Sequence, residues 1–87
     1  MLFENKQLII KYIEDDNDEI HSFSVDIKDF DTPEIKIKYN DKKEKIVSMY
    51  INLEEDENEP KNHVAYKLIN LCKYELYSIF NFMIKHK

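Results

Sequence analysis

The spacing of the hydrophobic side chains changes once along this chain, at Pro60, and that change constrains the fold more than any other feature. Before Pro60, apolar and polar residues alternate in short runs, as in strands with one buried face. After Pro60, apolar residues recur every three or four positions, as on one side of an α-helix. The sequence therefore predicts an α+β domain in which a β-sheet precedes one long C-terminal helix.

Four strands are predicted over residues 7–13, 20–28, 34–39 and 45–53, and the helix is predicted over 60–85. The links between strands are too short for parallel crossovers, so we expect a four-stranded antiparallel meander. The helix would cover one face of this sheet and complete a two-layer sandwich. The first strand is apolar on both faces, which is typical of a central strand or of one whose second face is covered. In the last strand, Val47 and Met49 are expected to point inward.

The chain has 87 residues and a single cysteine, so we expect one domain, residues 1–87, with no intrachain disulfide. A lone thiol suits a reducing compartment. The N-terminus lacks the apolar run of a signal peptide, and the uncharged stretch from Leu76 to Ile84 is too short to cross a bilayer. These features predict a soluble cytoplasmic protein without membrane contact, in the host cytoplasm if the gene is carried by a phage.

Glycine and arginine are both absent from the sequence. Without glycine, no residue adopts a positive φ at negligible cost, so the turns are expected to use Asn and Asp. Without arginine, bidentate recognition of phosphate is lost. The composition as a whole is typical of AT-rich codon usage, which is an explanation of the skew that needs no selection on function.

The sequence contains no recognisable motif for enzyme catalysis. There is no glycine-rich phosphate loop, nucleophile elbow or catalytic lysine motif. The histidines, His21, His63 and His86, are far apart and have no second ligand at metal spacing. Cys72 lies in the middle of the apolar stripe, where an inert thiol is expected. The sequence therefore predicts a protein that is not an enzyme and that has no cofactor or metal site.

Acidic residues form two clusters in a chain whose net charge is −5. The clusters comprise Glu14, Asp15, Asp16, Asp18 and Glu19, and Glu54, Glu55, Asp56, Glu57 and Glu59. In a simple meander they would lie at opposite ends of the sheet. One interpretation is that they are solvated loops that favour solubility. The other is that they bind a basic surface of another protein and speed association by electrostatic steering.

The predicted helix carries more apolar surface than one sheet face needs. A helix that rests on a sheet usually needs an apolar arc of little more than about 100°, and here the arc covers about 240°. The residues on its two shoulders are Val64, Leu71 and Phe82 on one side and Tyr66, Tyr77 and Ile84 on the other. Either the first strand and the loops cover these shoulders, or they form an interface with a second copy or another protein.

These features together favour a non-enzymatic acidic protein-binding module. One hypothesis is an inhibitor that blocks the basic nucleic-acid-binding site of a nuclease or a nucleic-acid-guided effector. Small single-domain chains of this general style occur among phage anti-defence inhibitors, anti-CRISPR proteins included, and among toxin-neutralising immunity proteins. That likeness is one of size, charge and composition, and no motif carries it. The alternative is a homodimeric structural or scaffold protein that pairs through the helix. Direct nucleic-acid binding is not expected, because the net charge opposes a phosphate backbone.

Overall fold

The computed structural model describes the backbone of residues 1–29, 35–51 and 59–86, and the side chains of the same residues except 59–64. Five strands and two helices lie in this part of the chain. Their bounds are β1 Leu2–Glu4, β2 Leu8–Asp15, β3 Ile20–Ile27, β4 Ile35–Asn40, β5 Lys45–Ile51, α1 Glu59–Leu71 and α2 Lys73–Lys85.

The strands form one antiparallel sheet in the order β1-β2-β3-β4-β5, which confirms the predicted α+β class and meander. The prediction of four strands was wrong by one, because β1 pairs with the free edge of β2. This pairing makes β2 an internal strand, in agreement with its apolar residues on both faces. Strand β1 escaped prediction because three residues are too few to show an alternating pattern.

The core lies between one face of the sheet and the helices. Phe23 of β3 stacks on Phe80 of α2, with ring centroids 4.1 Å apart. Tyr39 of β4 also packs on Phe80 and donates a hydrogen bond from its hydroxyl to Asn81 Oδ1, at 3.0 Å. All three rings are fully buried. The burial of apolar side chains from both layers is the main source of stability in so small a domain.

Two irregularities in strand pairing change which side chains face the core. Between Tyr12 and Glu14 of β2, one extra residue, Ile13, enters the strand and its side chain is exposed. In β5, Tyr39 of the neighbouring strand pairs with Ile46, and Lys38 pairs with Ser48, so Val47 is the extra residue. The prediction that Val47 points inward was therefore wrong: its side chain is exposed, and Ile46 packs on the core instead.

The predicted single helix is interrupted at Cys72. This residue has φ −106° and ψ 15°, away from helical geometry, so α1 ends at Leu71 and α2 begins at Lys73. The thiol of Cys72 lies 3.7 Å from the carbonyl oxygen of Ile69, a back-bond of the kind that bends helices. The thiol is half-buried, and this burial raises its pKa, which disfavours the thiolate form. No proline or glycine marks the break, so the sequence pattern continued across it.

Asparagine side chains hold three of the turns, as the absence of glycine predicts. Asn5 Oδ1 accepts hydrogen bonds from the backbone N–H groups of Gln7 and Leu8. Asn17 and Asn40 each accept two bonds in the same way, from residues two and three positions later. The turn after Asn40 also needs a left-handed residue, and Glu44 takes that role with φ 52°.

Candidate protein-binding surface

A line of exposed side chains runs from the last residue of α1 along α2. We call it the outer stripe, and it consists of Leu71, Tyr74, Ser78 and Phe82. Tyr74, Ser78 and Phe82 are four residues apart and lie on one side of α2, and Leu71 precedes them at the end of α1. The exposed fractions are 78% for Leu71, 72% for Tyr74 and 57% for Phe82. The opposite side of α2 closes the core through Leu76, Ile79, Phe80 and Met83.

The predicted shoulder residues divide into two groups. Leu71, Phe82 and Tyr66 are exposed. Tyr77 and Ile84 are half-buried and pack against the core, so the structure covers that part of the arc within one chain. The side chain of Val64 lies outside the described residues. The shoulder that contains Leu71 and Phe82 is therefore exposed apolar surface. On the other shoulder, Tyr77 and Ile84 are covered and Tyr66 is exposed.

The helical pattern groups Tyr74 with the polar residues Lys67, Asn70 and Asn81, so the sequence prediction missed this exposed aromatic member of the outer stripe. It precedes Phe82 by eight residues, which places the two on one side of α2. That spacing was the available signal. The lysine-and-asparagine-rich surroundings concealed it, because Tyr74 was grouped with the polar residues beside it.

Local contacts order the aromatic rings of the outer stripe. Tyr74 meets the half-buried ring of Tyr77 edge-on, with centroids 5.9 Å apart. The ammonium of Lys73 lies 5.3 Å from the centroid of the Tyr74 ring. Phe82 packs on the ring of His86, at 4.4 Å. Side chains that are already restrained lose less entropy when a partner covers them, which favours binding.

The first acidic cluster lies at the end of β2 and in the link to β3, and we call residues 14–19 the acidic turn. The meander brings it beside the lysine-rich link between β4 and β5. Asp16 Oδ2 lies 2.7 Å from Lys38 Nζ, and this hydrogen-bonded carboxylate raises the pKa of Lys38. Glu19 is 4.0 Å from Lys42. Charges that are segregated along the sequence therefore meet in space and partly neutralise each other.

His21 anchors the same end of the sheet from inside. It is only 3% exposed. Its Nδ1 lies 2.7 Å from Asp15 Oδ1 and 2.8 Å from the Tyr12 hydroxyl, and its Nε2 lies 3.5 Å from Asp41 Oδ2. The imidazole thus joins β2, β3 and the β4–β5 link. Because the ring is sealed from solvent, this cluster serves the fold and offers no open site for a substrate.

The acidic end of the sheet keeps an excess of negative charge despite these pairs. Over residues 14–19 and 38–45 the chain has seven carboxylates and four lysines. Asp18 is exposed and forms no ion pair with any described residue. Of the second cluster, Glu54, Glu55, Asp56 and Glu57 lie outside the described residues. Glu59 begins α1, and its side chain is likewise outside the described set.

A shallow groove of about 330 Å³ crosses the sheet face that the helices leave open. The residues that line it are Ile13, Glu14, Ser22, Lys36, Ile37, Lys38, Ser48 and Tyr50. Lys36 lies directly across the strand pair from Tyr50, which is 61% exposed. Lys38, however, is already bound to Asp16, and Glu14 adds an opposing charge. The groove therefore presents no concentrated charge of one sign to a ligand.

Other kinds of site do not emerge from the part of the chain that the structure describes. No three side chains of His, Cys, Asp or Glu come together there as metal ligands would. None of the described helices is both long and apolar enough to span a membrane. Comparison of the chain with known protein families, with curated proteins and with solved structures found no significant match.

Proposed function

We propose that this chain is a non-enzymatic protein-binding module and that the outer stripe of α2 is its contact surface. The observation that carries this proposal is that Tyr74 and Phe82 of α2, with Leu71 at the end of α1, are exposed while the opposite side of α2 closes the core. Single exposed apolar residues are normal on protein surfaces. A contiguous line of them, ordered by neighbouring rings, is typical of an interaction site.

The chemistry of the stripe supports a protein partner in particular. Aromatic residues are enriched at the centres of protein interfaces, where they contribute large contact areas for little loss of side-chain freedom. Full burial of such a side chain contributes about 1.5–3 kcal/mol relative to exposure. Ser78 lies between Tyr74 and Phe82 and is small enough to let a partner approach the helix backbone. An amphipathic helix or a shallow apolar groove would fit this line.

A second candidate function follows from the acidic end of the sheet. Its excess of carboxylates over lysines, with Asp18 unpaired among the described residues, favours attraction to a basic surface. Nucleases and nucleic-acid-guided effectors have such surfaces because they hold polyanions. An inhibitor of the phage anti-defence or immunity-protein kind would use the acidic end to occupy that site. The two surfaces can serve one partner, with the stripe providing affinity and the carboxylates steering association.

Site-specific photo-crosslinking tests the stripe. Benzoylphenylalanine replaces Tyr74 in one variant and Tyr50, a similarly exposed tyrosine on the open sheet face, in the matched control. In cells that naturally carry the gene, irradiation is expected to give discrete protein adducts from position 74 and not from position 50. Mass spectrometry then identifies the adducts. Equal labelling at both positions, or none at position 74, contradicts the proposal.

Charge neutralisation tests the second candidate. The double variant Glu14→Gln, Asp18→Asn removes two carboxylates of the acidic turn without touching the Asp16–Lys38 pair. Binding to the crosslinked partner is measured at low and at high salt. If the turn faces a basic site, the variant binds more slowly and its association rate depends less on salt than that of the parent chain. An unchanged salt dependence contradicts this role.

A further inference from the structure

His21 and Asp41 face each other inside the acidic end of the sheet, and each has a buried polar atom without a hydrogen-bond partner among the described residues. The two atoms are His21 Nε2 and Asp41 Oδ1. Buried nitrogen and oxygen atoms are nearly always hydrogen-bonded, so two unsatisfied atoms on facing side chains require an explanation. We infer that His21 is a pH-sensitive switch: with one ring proton it binds Asp15, and a second proton, on Nε2, makes it bind Asp41 as well and tightens the acidic end of the sheet.

The contacts of the ring place its first proton on Nδ1. This nitrogen is 2.7 Å from Asp15 Oδ1, and an ionised carboxylate only accepts hydrogen bonds, so Nδ1 donates to it. The Tyr12 hydroxyl oxygen, 2.8 Å from the same nitrogen, can accept from the same N–H group. A neutral ring with its proton on Nδ1 has a lone pair on Nε2, which is 3.5 Å from Asp41 Oδ2. In this form a lone pair faces a carboxylate, and neither group satisfies the other.

A second proton on Nε2 removes this mismatch. The nitrogen becomes a donor that faces an acceptor, and the imidazolium lies between two carboxylates that favour its positive charge. Burial opposes that charge, because the ring is almost completely shielded from water. Hydrogen bonds between charged groups are shorter than 3.5 Å, so protonation should bring Asp41 and the ring closer together. The contact at 3.5 Å therefore corresponds to the form of the switch with one ring proton.

The other charged and titratable groups near the ring do not replace His21 as the cation for Asp41. Tyr39 pairs with His21 across β3 and β4, and burial raises the pKa of its phenol, so that group stays neutral while histidine titrates. The lysines at this end of the sheet bind other carboxylates, in the pairs Lys38–Asp16 and Lys42–Glu19. Asp41 forms no ion pair with any described residue other than His21.

The switch acts on the acidic turn through the backbone of Asp41. The N–H group of Asp41 donates to the carbonyl oxygen of Glu19, at 3.2 Å, and this bond joins the β4–β5 link to the acidic turn. Asp15, the other residue that the ring binds, belongs to the acidic turn itself. The doubly protonated ring therefore holds the turn through two contacts, and the neutral ring through one. As the pH falls through the range in which histidine titrates, about pH 8 to about pH 5, the acidic turn becomes more rigid.

Nuclear magnetic resonance of the intact, isotope-labelled chain between about pH 8.5 and about pH 5 tests the switch. The ring nitrogen signals report the protonation of His21. The exchange rate of the Asp41 amide proton, corrected for the intrinsic effect of pH, reports the tightening. We expect Nε2 to gain its proton in this range and the Asp41 amide to exchange about tenfold more slowly in the protonated form, because a hydrogen bond to a charged group has formed.

The amide of Lys28 is the internal control for that measurement. It donates to the carbonyl oxygen of Gln7, at 2.9 Å, at the opposite end of the sheet, and its corrected exchange rate should not change. Equal slowing of both amides would indicate a general effect on stability and overturns the inference. A ring that keeps one protonation state throughout the range, or a protonation that leaves the Asp41 amide unaffected, overturns it as well.

Two variants separate the switch from other effects of pH. Asp41→Asn removes the charge that the second proton faces and should abolish the pH-dependent slowing at residue 41. Asp18→Asn removes an exposed carboxylate of the same turn that forms no ion pair with any described residue, and it should retain the slowing. Circular dichroism shows whether each variant is folded, and if Asp41→Asn does not fold, the titration of the parent chain decides.

The variants also have outcomes that contradict the switch. Slowing that persists in folded Asp41→Asn overturns the role of Asp41, and slowing that is lost in Asp18→Asn shows a general effect of charge and overturns the switch. None of these outcomes bears on crosslinking from position 74. The switch goes beyond the proposed function of the outer stripe, and each is therefore tested independently of the other.

Discussion

His21 Nδ1 lies 2.7 Å from Asp15 Oδ1, and this contact ties the end of β2 to the start of β3 beside the acidic turn. The ring is buried while the carboxylate is partly exposed. One carboxylate of a cluster that the sequence offered as a partner-binding surface is thus part of the framework of the fold. Asp16, which forms an ion pair with Lys38, is a second carboxylate of this cluster that contributes to the fold.

A double-mutant cycle should reveal the strength of that contact. We expect His21→Gln and Asp15→Asn to be coupled by about 1–2 kcal/mol in the free energy of unfolding, because the bond involves a carboxylate and a buried ring. Urea denaturation measures each variant. The exposed pair Glu19 and Lys42, at 4.0 Å, provides the control cycle and should couple by less than about 0.5 kcal/mol. Equal coupling in the two cycles would contradict a structural role for His21.

Replacing Phe80 by alanine should destabilise the fold, whereas replacing Phe82, two residues later, should have little effect on stability. Phe80 is fully buried against Phe23, so Phe80→Ala is expected to lower the free energy of unfolding by about 3–5 kcal/mol. Phe82 is exposed, so Phe82→Ala should change it by less than about 0.5 kcal/mol when measured on the monomer. Thermal melts of dilute samples compare the two. A large loss from Phe82→Ala would mean that its ring belongs to the core.

The left-handed residue Glu44 should be a site of easy stabilisation. A non-glycine residue at φ 52° is strained, and glycine relieves that strain at some cost in unfolded-state entropy. Glu44→Gly is expected to raise the free energy of unfolding by about 0.5–1 kcal/mol. The neighbouring variant Lys43→Gly should lower it by a similar amount, because Lys43 has no positive φ. Chemical denaturation gives both values, and a loss of stability in Glu44→Gly would refute the assignment of strain.

Ionisation of Tyr39 should lower the free energy of unfolding at high pH. Burial raises the pKa of its phenol, so the folded chain holds the phenolic proton more tightly than the unfolded chain. Its contribution is therefore complete below about pH 10, where unfolded tyrosines ionise, and is lost as the pH rises through the raised pKa of the folded state. Unfolding free energies measured from neutral pH to about pH 11 show this decline.

The matched variant for that measurement is Tyr39→Phe. It loses the hydrogen bond to Asn81 and should be less stable by about 1 kcal/mol at neutral pH. Its stability should fall less steeply above about pH 10, since no phenol remains at that position to ionise. Parallel curves for the two chains would show that other groups cause the alkaline loss.

Much of the fold was predictable because burial imposes a period on the sequence. The change of period at Pro60 located the sheet and the helical region, and the short links required antiparallel neighbours. The remaining features have no periodic signature. Strand β1 is too short, the extra residues Ile13 and Val47 shift the register by local geometry, and Cys72 interrupts the helix through its backbone angles without a proline or glycine.

The exposed face of the helices was predictable only in part, because the exposure of each side chain depends on how the helices pack on the sheet. A helical wheel identified Leu71 and Phe82 and overestimated Tyr77 and Ile84, which contacts with the core cover. The pairing of Asp16 with Lys38 joins residues that are far apart in sequence and depends on the strand order. Glu54 and its acidic neighbours in the link to α1 lie outside the described residues, so their proposed contact with a basic partner stays a prediction.

The asparagine-held turns have a consequence for the denatured chain. Glycine at those positions would give the unfolded backbone many more accessible conformations, and each such residue would add about 0.4–1 kcal/mol to the cost of ordering. The unfolded state of a chain without glycine has fewer backbone conformations, so this chain loses less conformational entropy when it folds. That saving partly compensates for a core that fewer than ninety residues can build. The absence of glycine also has a cost: among the described residues, Glu44 must adopt a positive φ that disfavours a side chain with a Cβ atom.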